Sequence, residues 1–286
     1  MQLVTEENIT DLAVQRWSSG RPERLGELMG ALVRHLHEFA REVELTEAEW
    51  MAAIEWLTAA GKLCDEKRQE FILASDVLGL SMLVVQMNHR FAAGATPATV
   101  LGPFHIAGSP PLPFGGDMSD GVAGTPLYVT GVVKDLSGAP VPGAVLDVWQ
   151  ADTEGLYESQ IPDIDEARLR GLYAARDDGS YCIRTVVPRG YSIPVDGPVG
   201  DLIRRTEISH YRPAHVHFLI AVDGYEPLIT HLFQEGSEYL ENDVVFGTKD
   251  ALVVRFERRE PGPAPDGGEC AEPFAVATYD FVLQPR

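Results

Sequence analysis

The chain has 286 residues, of which 45% are hydrophobic, and this length allows one large domain or two ordinary ones with a substantial core. Its 43 acidic and 23 basic residues give a formal net charge of −20, which repels phosphate backbones and anionic lipid surfaces. We therefore expect no nucleic acid partner. Three scattered cysteines (Cys64, Cys182 and Cys270) and the lack of a visible signal or membrane span predict a cytoplasmic protein.

The first part of the chain carries helical signals almost throughout. Four helices are predicted, over Thr5 to Trp17, Pro22 to about Val43, Thr46 to about Gly61, and about Glu66 to Asn88. The third begins with a capping-box pattern, Thr46-x-x-Glu49. The fourth is apolar most of the way round, which predicts burial against its own bundle and a second domain or subunit.

At about residue 92 the composition changes, and residues 93–126 form a connector rich in Gly and Pro. After it, apolar residues alternate with a period of two. Strands are predicted at Leu127–Val133, Ala144–Gln150, Gly179–Val187, His215–Val222, Leu228–Phe233, Ala251–Glu257 and Phe274–Leu283. Short strands with turns and no intervening helix of any length predict an antiparallel β-sandwich. The expected fold is mainly β, with a helical N-terminal linker and dimerisation domain (1–92) and a sandwich domain (93–286).

Two histidines and two tyrosines carry the chemical signal. His215 and His217 lie at i and i+2 of a predicted strand, which places both imidazoles on one face, roughly 7 Å apart at Cα, where they can share a metal. The alternative is a half-buried strand whose histidines only form hydrogen bonds. Tyr157 follows the end of a strand, and Tyr191 lies in a rigid segment rich in Pro and Gly. Each tyrosine alone is an ordinary amphipathic residue; their conjunction with His-x-His indicates a site.

Four motifs extend this pattern: Leu101-Gly102-Pro103-Phe104; Val148-Trp149-Gln150-Ala151-Asp152 with Gly155 and Tyr157; Arg189-Gly190-Tyr191-Ser192-Ile193-Pro194 with Asp196-Gly197-Pro198; and Arg212-Pro213-Ala214-His215-Val216-His217-Phe218. With them the chain resembles the intradiol ring-cleaving dioxygenases, within which the hydroxyquinol and catechol 1,2-dioxygenases are most similar. The resemblance runs from the N-terminal helices to about Phe256.

The resemblance implies that Tyr157, Tyr191, His215 and His217 ligate one non-haem ferric ion per subunit. The implied charges balance, because two phenolates and a hydroxide neutralise Fe³⁺ while imidazoles add no charge. Zinc is the metal alternative from His-x-His alone, but zinc rarely binds tyrosine and has no redox chemistry.

The resemblance also implies ring cleavage of an aromatic diol or triol by O₂ to a muconate-type diacid. Tyr191 would leave the metal and accept a substrate proton, and Arg212 would stabilise charge on the ring; the alternative for Arg212 is a structural ion pair. The implied substrate contacts are Leu73, Asp76, Val100, Leu101, Gly102, Pro103, Phe104, Ile193, Pro194, Arg212 and Val245. His231, where many catechol dioxygenases have glutamine, is a candidate for supporting the ligands.

Hydroxyquinol is the expected substrate, with 3-hydroxy-cis,cis-muconate, the enol form of maleylacetate, as product. Asp76 is the main reason, because a carboxylate in an apolar wall is costly unless a partner such as the extra substrate hydroxyl bonds to it; its alternative role is a local hydrogen bond. The alternative activities are catechol 1,2-dioxygenase, giving cis,cis-muconate, and a non-catalytic transthyretin-like binding module. The resemblance further suggests a homodimer through the N-terminal helices, with a phospholipid between them.

Overall fold

The structure is a computed structural model and describes residues 3–65, 68–161, 164 and 167–286. It divides into two compact units, Met1–Ala59 and Ala60–Arg286. The composition change at residue 92 therefore falls inside the second unit. The helices are α1 (Ile9–Ser18), α2 (Glu23–Glu42), α3 (Glu47–Leu63), α4 (Glu70–Val77), α5 (Leu80–Asn88) and α6 (Pro198–Thr206).

The first unit contains α1, α2 and most of α3. The predicted capping box is confirmed, because the Thr46 N–H donates to Glu49 Oε2 at 2.9 Å and the Glu49 N–H donates to Thr46 Oγ1 at 3.3 Å. The predicted stop at Gly61 is wrong by two residues, since α3 continues to Leu63. One face of α2 carries exposed apolar side chains: Leu25, Leu28, Leu32, Leu36 and Phe39.

The single helix predicted at 66–88 is wrong: the chain forms α4 and α5, which bend by 78°. Gly79 lies at the bend with φ 73°, a left-handed conformation that glycine adopts without strain. The predicted start at Glu66 lies outside the described residues. Among the described helices, none is by itself long and apolar enough for a bilayer span, and the bent pair passes only jointly, by length and composition.

The second unit is built on two five-stranded sheets. Its strands are β1 (Pro126–Asp135), β2 (Val145–Trp149), β3 (Arg170–Ala174), β4 (Ser180–Val186), β5 (Tyr191–Ser192), β6 (Tyr211–Arg212), β7 (His215–Ala221), β8 (Leu228–Gln234), β9 (Val253–Val254), β10 (Phe256–Arg259), β11 (Gly262–Pro263), β12 (Glu269–Cys270), β13 (Phe274–Thr278) and β14 (Phe281–Leu283). One sheet has the order β10-β13-β1-β14, with β4 also on β1, and the other has the order β3-β2-β7-β8-β9.

Both sheets contribute to one apolar core, which includes Val129 and Ile183 from one sheet and Leu146, Val148 and Phe218 from the other. The mainly β fold with a helical N-terminal part is confirmed. The sheets are mixed, because β1 runs parallel to β13 and β14, and β9 runs parallel to β8. The two-residue strands β5 and β6 pair with each other apart from both sheets.

The prediction that no helix interrupts the strands is wrong, since α6 lies between β5 and β6. Proline suits the first turn of a helix, and Pro198 begins α6. The buried Glu70 carboxylate accepts the Val199 N–H at 3.0 Å, which satisfies a free donor of this helix end. Two predicted strands are also interrupted: 251–257 contains a short 3₁₀ turn before β9 and β10, and 274–283 divides into β13 and β14.

The break between β13 and β14 lies against Gly131 of β1. The Tyr279 N–H donates to Thr130 O at 2.8 Å, and a Cβ on Gly131 would lie 1.8 Å from Tyr279 O. Only glycine therefore allows the main chain at Tyr279 to approach β1 this closely.

We predict that Gly131→Ala lowers the free energy of unfolding by about 1–3 kcal/mol, because the backbone of either β1 or Tyr279 must move. Gly61→Ala is the control, since a Cβ there meets only the Phe71 ring at 3.6 Å and alanine favours the helix. Denaturant titrations measure both effects. Equal stabilities of the two variants would contradict this account of the close approach between Gly131 and Tyr279.

Candidate active site

The sheet places two histidines on one buried face. His215 and His217 both lie on β7, the central strand of its sheet, and each is at most 2% exposed. Their Nε2 atoms are 3.1 Å apart. The alternation of strand side chains therefore brings the two imidazoles to one point, as the i, i+2 spacing predicts.

Two phenols meet the imidazoles at this point. Tyr157 follows β2 through a loop, and Tyr191 lies on β5. The Tyr157 hydroxyl is 2.9 Å from His217 Nε2 and 3.2 Å from the Tyr191 hydroxyl. The loop can approach Tyr191 because position 155 is glycine with φ 86°; a Cβ there would lie 2.6 Å from Tyr191 Cβ. The four predicted ligand side chains therefore lie together.

Burial sets the protonation of the four donors. It lowers the pKa of His215 to about 3 and the pKa of His217 well below its ordinary value, so both rings are neutral and can offer a lone pair. It raises the pKa of Tyr157 well above its ordinary value and also raises the pKa of Tyr191. Phenols in such a site ionise only if a strong positive charge is close by.

This donor set could hold one metal ion. Neighbouring donor atoms are 2.9–3.2 Å apart, the spacing of adjacent ligands that lie about 2.1 Å from a common ion. His215, His217 and His231 also form a group within 4.8 Å. His231, however, contacts the other nitrogen of the His217 ring: its Nε2 lies 2.7 Å from His217 Nδ1.

Neighbouring groups fix both imidazole rings. His215 Nδ1 lies 2.7 Å from the Pro213 carbonyl oxygen. The Trp149 indole stacks on the His217 ring with centroids 4.7 Å apart. The Tyr157 phenol is held in a similar way, because the Phe104 ring stacks on it with centroids 4.2 Å apart. The Phe104 carbonyl oxygen in turn accepts a hydrogen bond from Arg170 Nη2 at 3.2 Å. The donors are thus held by several elements of the second unit.

Arg212 is a buried cation beside the phenols. Its Nε donates to Asp243 Oδ1 at 3.0 Å, and the guanidinium charge lowers the pKa of Tyr191 against the effect of burial. Burial alone would raise the pKa of Asp243, but the Arg212 charge holds it below its ordinary value. Asp243 also accepts the backbone N–H of Val245 at 3.3 Å and that of Gly247 at 3.0 Å, so it is fixed itself.

Asp76 is a buried carboxyl group without a matching cation of its own. It lies on α4, is 2% exposed, and its Oδ2 has no hydrogen-bond partner among the described residues. Burial raises the pKa of Asp76, whereas the Ser81 hydrogen bond and the Arg212 charge lower it and the Asp243 charge raises it further. Since Asp243 already neutralises Arg212, Asp76 remains able to bind a hydrogen-bond donor.

A cleft of about 480 Å³ includes four of the predicted substrate contacts: Leu73, Pro103, Phe104 and Pro194. The others, Asp76, Val100, Leu101, Gly102, Ile193, Arg212 and Val245, are not part of its lining. Gly102 is nevertheless close to the donors, because a Cβ there would lie 3.6 Å from His217 Cε1. Arg68 ties one side of the cleft together, donating to Asp196 at 2.8 and 2.9 Å and to Glu70 at 3.0 Å.

Several residues at the site were not predicted. Asp243 lies in a turn that shows no metal or catalytic motif, and the pairing of Arg170 with Glu158 joins β3 to the segment after Tyr157. Among the unpredicted residues, the sequence indicated only Trp149, because it belongs to one of the four motifs. Tertiary contacts determine which buried charges pair with each other. The separation of two such residues in the sequence therefore does not reveal that they pair.

Known proteins resemble the whole chain. A family model described as "Dioxygenase" matches residues 113–285, beyond the expected limit at Phe256, and a second, "Catechol dioxygenase N terminus", matches residues 22–96. A 6-chlorohydroxyquinol 1,2-dioxygenase of Cupriavidus pinatubonensis is 45% identical, with 100% of this chain and 99% of that protein covered.

Two solved structures are also similar to nearly the whole chain. The hydroxyquinol 1,2-dioxygenase of Pseudomonas putida DLL-E4 has a TM-score of 0.90 at 45% identity and covers 98% of this chain and 99% of its own. The catechol 1,2-dioxygenase of Acinetobacter sp. ADP1 has a TM-score of 0.86 at 26% identity, with 100% and 94% covered. With two phenols and two imidazoles at one buried point, the chain belongs to the intradiol ring-cleaving dioxygenases.

Proposed function

We propose that the protein is a hydroxyquinol 1,2-dioxygenase, which opens the ring of 1,2,4-trihydroxybenzene with O₂ to give 3-hydroxy-cis,cis-muconate, the enol form of maleylacetate. The observation that carries the proposal is the buried group of two phenols and two imidazoles beside a substrate-sized cleft. The names of the 45%-identical relatives support the substrate class. The three cysteines are free thiols, which agrees with a cytoplasmic enzyme.

The proposed cofactor is one ferric ion per subunit, held by Tyr157, Tyr191, His215 and His217. Two phenolates and two neutral imidazoles suit a hard trivalent ion, and the buried phenols need its charge to ionise. When bound, ferric iron accepts electron density from a chelated aromatic diol and so makes the ring reactive towards O₂.

The protein supplies the proton acceptor and the charge. As a phenolate, Tyr191 would take a proton from a substrate hydroxyl, and because burial raises the pKa of Tyr191, the resulting phenol would keep that proton. Arg212 stays cationic beside Asp243 and stabilises negative charge that develops on the ring oxygens. The apolar side chains of Leu73, Phe104 and Pro194 limit water in the cleft.

Asp76 accounts for the choice of substrate. A buried carboxylate oxygen without a partner is costly, and the third hydroxyl of hydroxyquinol can donate to it. A site built to bind a hydroxyl rejects an analogue that lacks it much more strongly than an apolar pocket rejects a missing methylene. Catechol, the substrate in the name of the 26%-identical Acinetobacter enzyme, is therefore the second candidate and a poor substrate here.

The proposal includes a homodimer formed through the N-terminal helices. The five apolar residues on α2 (Leu25, Leu28, Leu32, Leu36 and Phe39) are each about half exposed, and they recur three and four positions apart. Contiguous apolar surface of this kind marks an interface or an amphiphile site. We propose that this face binds a second copy of the chain and that a phospholipid occupies space between the helices.

We predict that the wild-type protein is coloured by phenolate-to-iron charge transfer, and that Tyr157→Phe or Tyr191→Phe shifts or removes the visible band. His215→Ala and His217→Ala should mainly lower bound iron. Tyr181→Phe is the matched control, because this buried phenol donates to Tyr279 O at 2.8 Å, away from the four donors. Visible spectra and iron analysis decide; four variants with wild-type iron and colour would refute the ligand set.

For Asp76, we predict that Asp76→Ala or Asp76→Asn lowers the ratio of kcat/KM for hydroxyquinol over catechol by roughly 10-fold or more, because the hydroxyl loses a charged acceptor. Steady-state rates on both substrates measure it. A wild type that prefers catechol, or an unchanged ratio in both Asp76 variants, would contradict the role of Asp76.

For the assembly, we predict a stable dimer at micromolar concentration in sedimentation experiments. Leu32→Asp places a charge on the apolar face of α2 and should weaken the dimer. Arg34→Asp also introduces an acid on α2, but about 200° around the helix from Leu32, and should leave the dimer intact. A wild-type monomer, or equal dissociation of both variants, would argue against this interface.

A further inference from the structure

A chain of hydrogen bonds leads away from the candidate metal ligands into the protein interior. His217 Nδ1 lies 2.7 Å from His231 Nε2, and His231 Nδ1 lies 2.7 Å from Thr99 Oγ1. All three side chains are at most 1% exposed. Three buried polar groups thus form one continuous row.

The fold holds this row at both ends. His217 and His231 are directly opposite residues of the antiparallel pair β7 and β8, so their side chains lie on the same face. Thr99 belongs to the connector, and its backbone N–H donates to Ile229 O of β8 at 2.8 Å. The connector is therefore attached to β8 within two residues of His231.

The positions of the atoms determine the direction of the hydrogen bonds. His217 Nε2 faces Tyr157 and His215, so it is the nitrogen that offers a lone pair to a metal. A neutral ring then carries its hydrogen on Nδ1 and donates it to His231 Nε2. His231 must in turn carry its hydrogen on Nδ1 and donate it to the Thr99 hydroxyl oxygen.

The two candidate ligand histidines are supported differently. His215 Nδ1 pairs with the backbone carbonyl of Pro213, which no side-chain substitution removes. His217 Nδ1 depends on the side chain of His231. Groups that bind the second nitrogen of a metal-bound histidine fix its tautomer and ring orientation, and their loss typically weakens metal binding about 10- to 100-fold.

We propose that His231 and Thr99 are positioning residues that fix the tautomer and orientation of His217 and thereby retain the metal. This inference rests on the proposed function, because it concerns the same ferric site. Thr99 immediately precedes Val100 and Leu101, which belong to the expected substrate wall, so the residue that ends the row also attaches that wall to β8.

The experiment compares five variants with the wild-type protein, each loaded with iron: His231→Gln, His231→Leu, Thr99→Ser, Thr99→Val and Thr230→Val. Glutamine offers both an acceptor and a donor, whereas leucine offers neither. Thr230→Val is the matched control, because Thr230 is also fully buried and its hydroxyl also joins β8 to the connector, at Pro97 O and 2.8 Å, without touching the row.

The measurements are bound iron per subunit and the rate of iron loss to a chelator, with circular dichroism as a check on folding. We expect His231→Leu to lose iron roughly 10- to 100-fold faster than wild type, and Thr99→Val roughly 2- to 10-fold faster. His231→Gln and Thr99→Ser should stay close to wild type, and Thr230→Val should be unchanged.

Three outcomes overturn the inference. The first is a folded His231→Leu variant that retains iron as well as the wild type. The second is equal iron loss in Thr99→Val and Thr230→Val, because it would mean that the loss of packing, and not of the row, releases the metal. If His231→Gln loses iron as fast as His231→Leu, His231 is itself a ligand of the three-histidine group. If His231→Leu does not fold, the comparison of Thr99→Val with Thr230→Val and the iron loss of His231→Gln still test the inference. A wild type that binds no iron refutes the proposed function instead.

Discussion

The rest of the structure depends on one constraint: four buried polar side chains must be held so that each donor atom lies 2.9–3.2 Å from another one. Tyr157, Tyr191, His215 and His217 are each at most 5% exposed, and burial moves the pKa of every one of them towards the neutral form. A polar atom in such a place must be paired or pay a desolvation cost. The sheet, the connector and the loop after β2 each supply contacts that meet this requirement.

The buried charge next to the donors is paired as well. The buried Arg212 carries one positive charge, and Asp243 cancels it through two hydrogen bonds while binding two backbone amides. Removing one member of a buried pair is far more damaging than the pair is stabilising, because the remaining charge is left uncompensated. The pair thus keeps a cation next to Tyr191, and it leaves the buried Asp76 carboxyl group without a cation of its own.

Local patterns in the sequence predicted the elements that local physics determines. The period of two located β1, β7 and β8, the capping box located α3, and the resemblance brought Tyr157, Tyr191, His215 and His217 together. The break at Gly79 and the helix at Pro198 were missed, because glycine in an apolar run and proline after glycine each fit several conformations until tertiary contacts choose one. Asp243 and Thr99 were missed because folding brings each of them next to its partner, and the spacing of residues along the sequence does not indicate such pairs.

The approach of Gly155 to Tyr191 restricts how the phenol can move. Tyr191 pairs with Arg212 through its backbone, and the loop at Gly155 packs against its Cα and Cβ atoms, which fixes the main chain on two sides. Any displacement of the phenol must therefore come from rotation about the side-chain bonds. Because the main chain stays in place, a phenol that would exchange with a substrate oxygen returns to its original position when those torsions reverse.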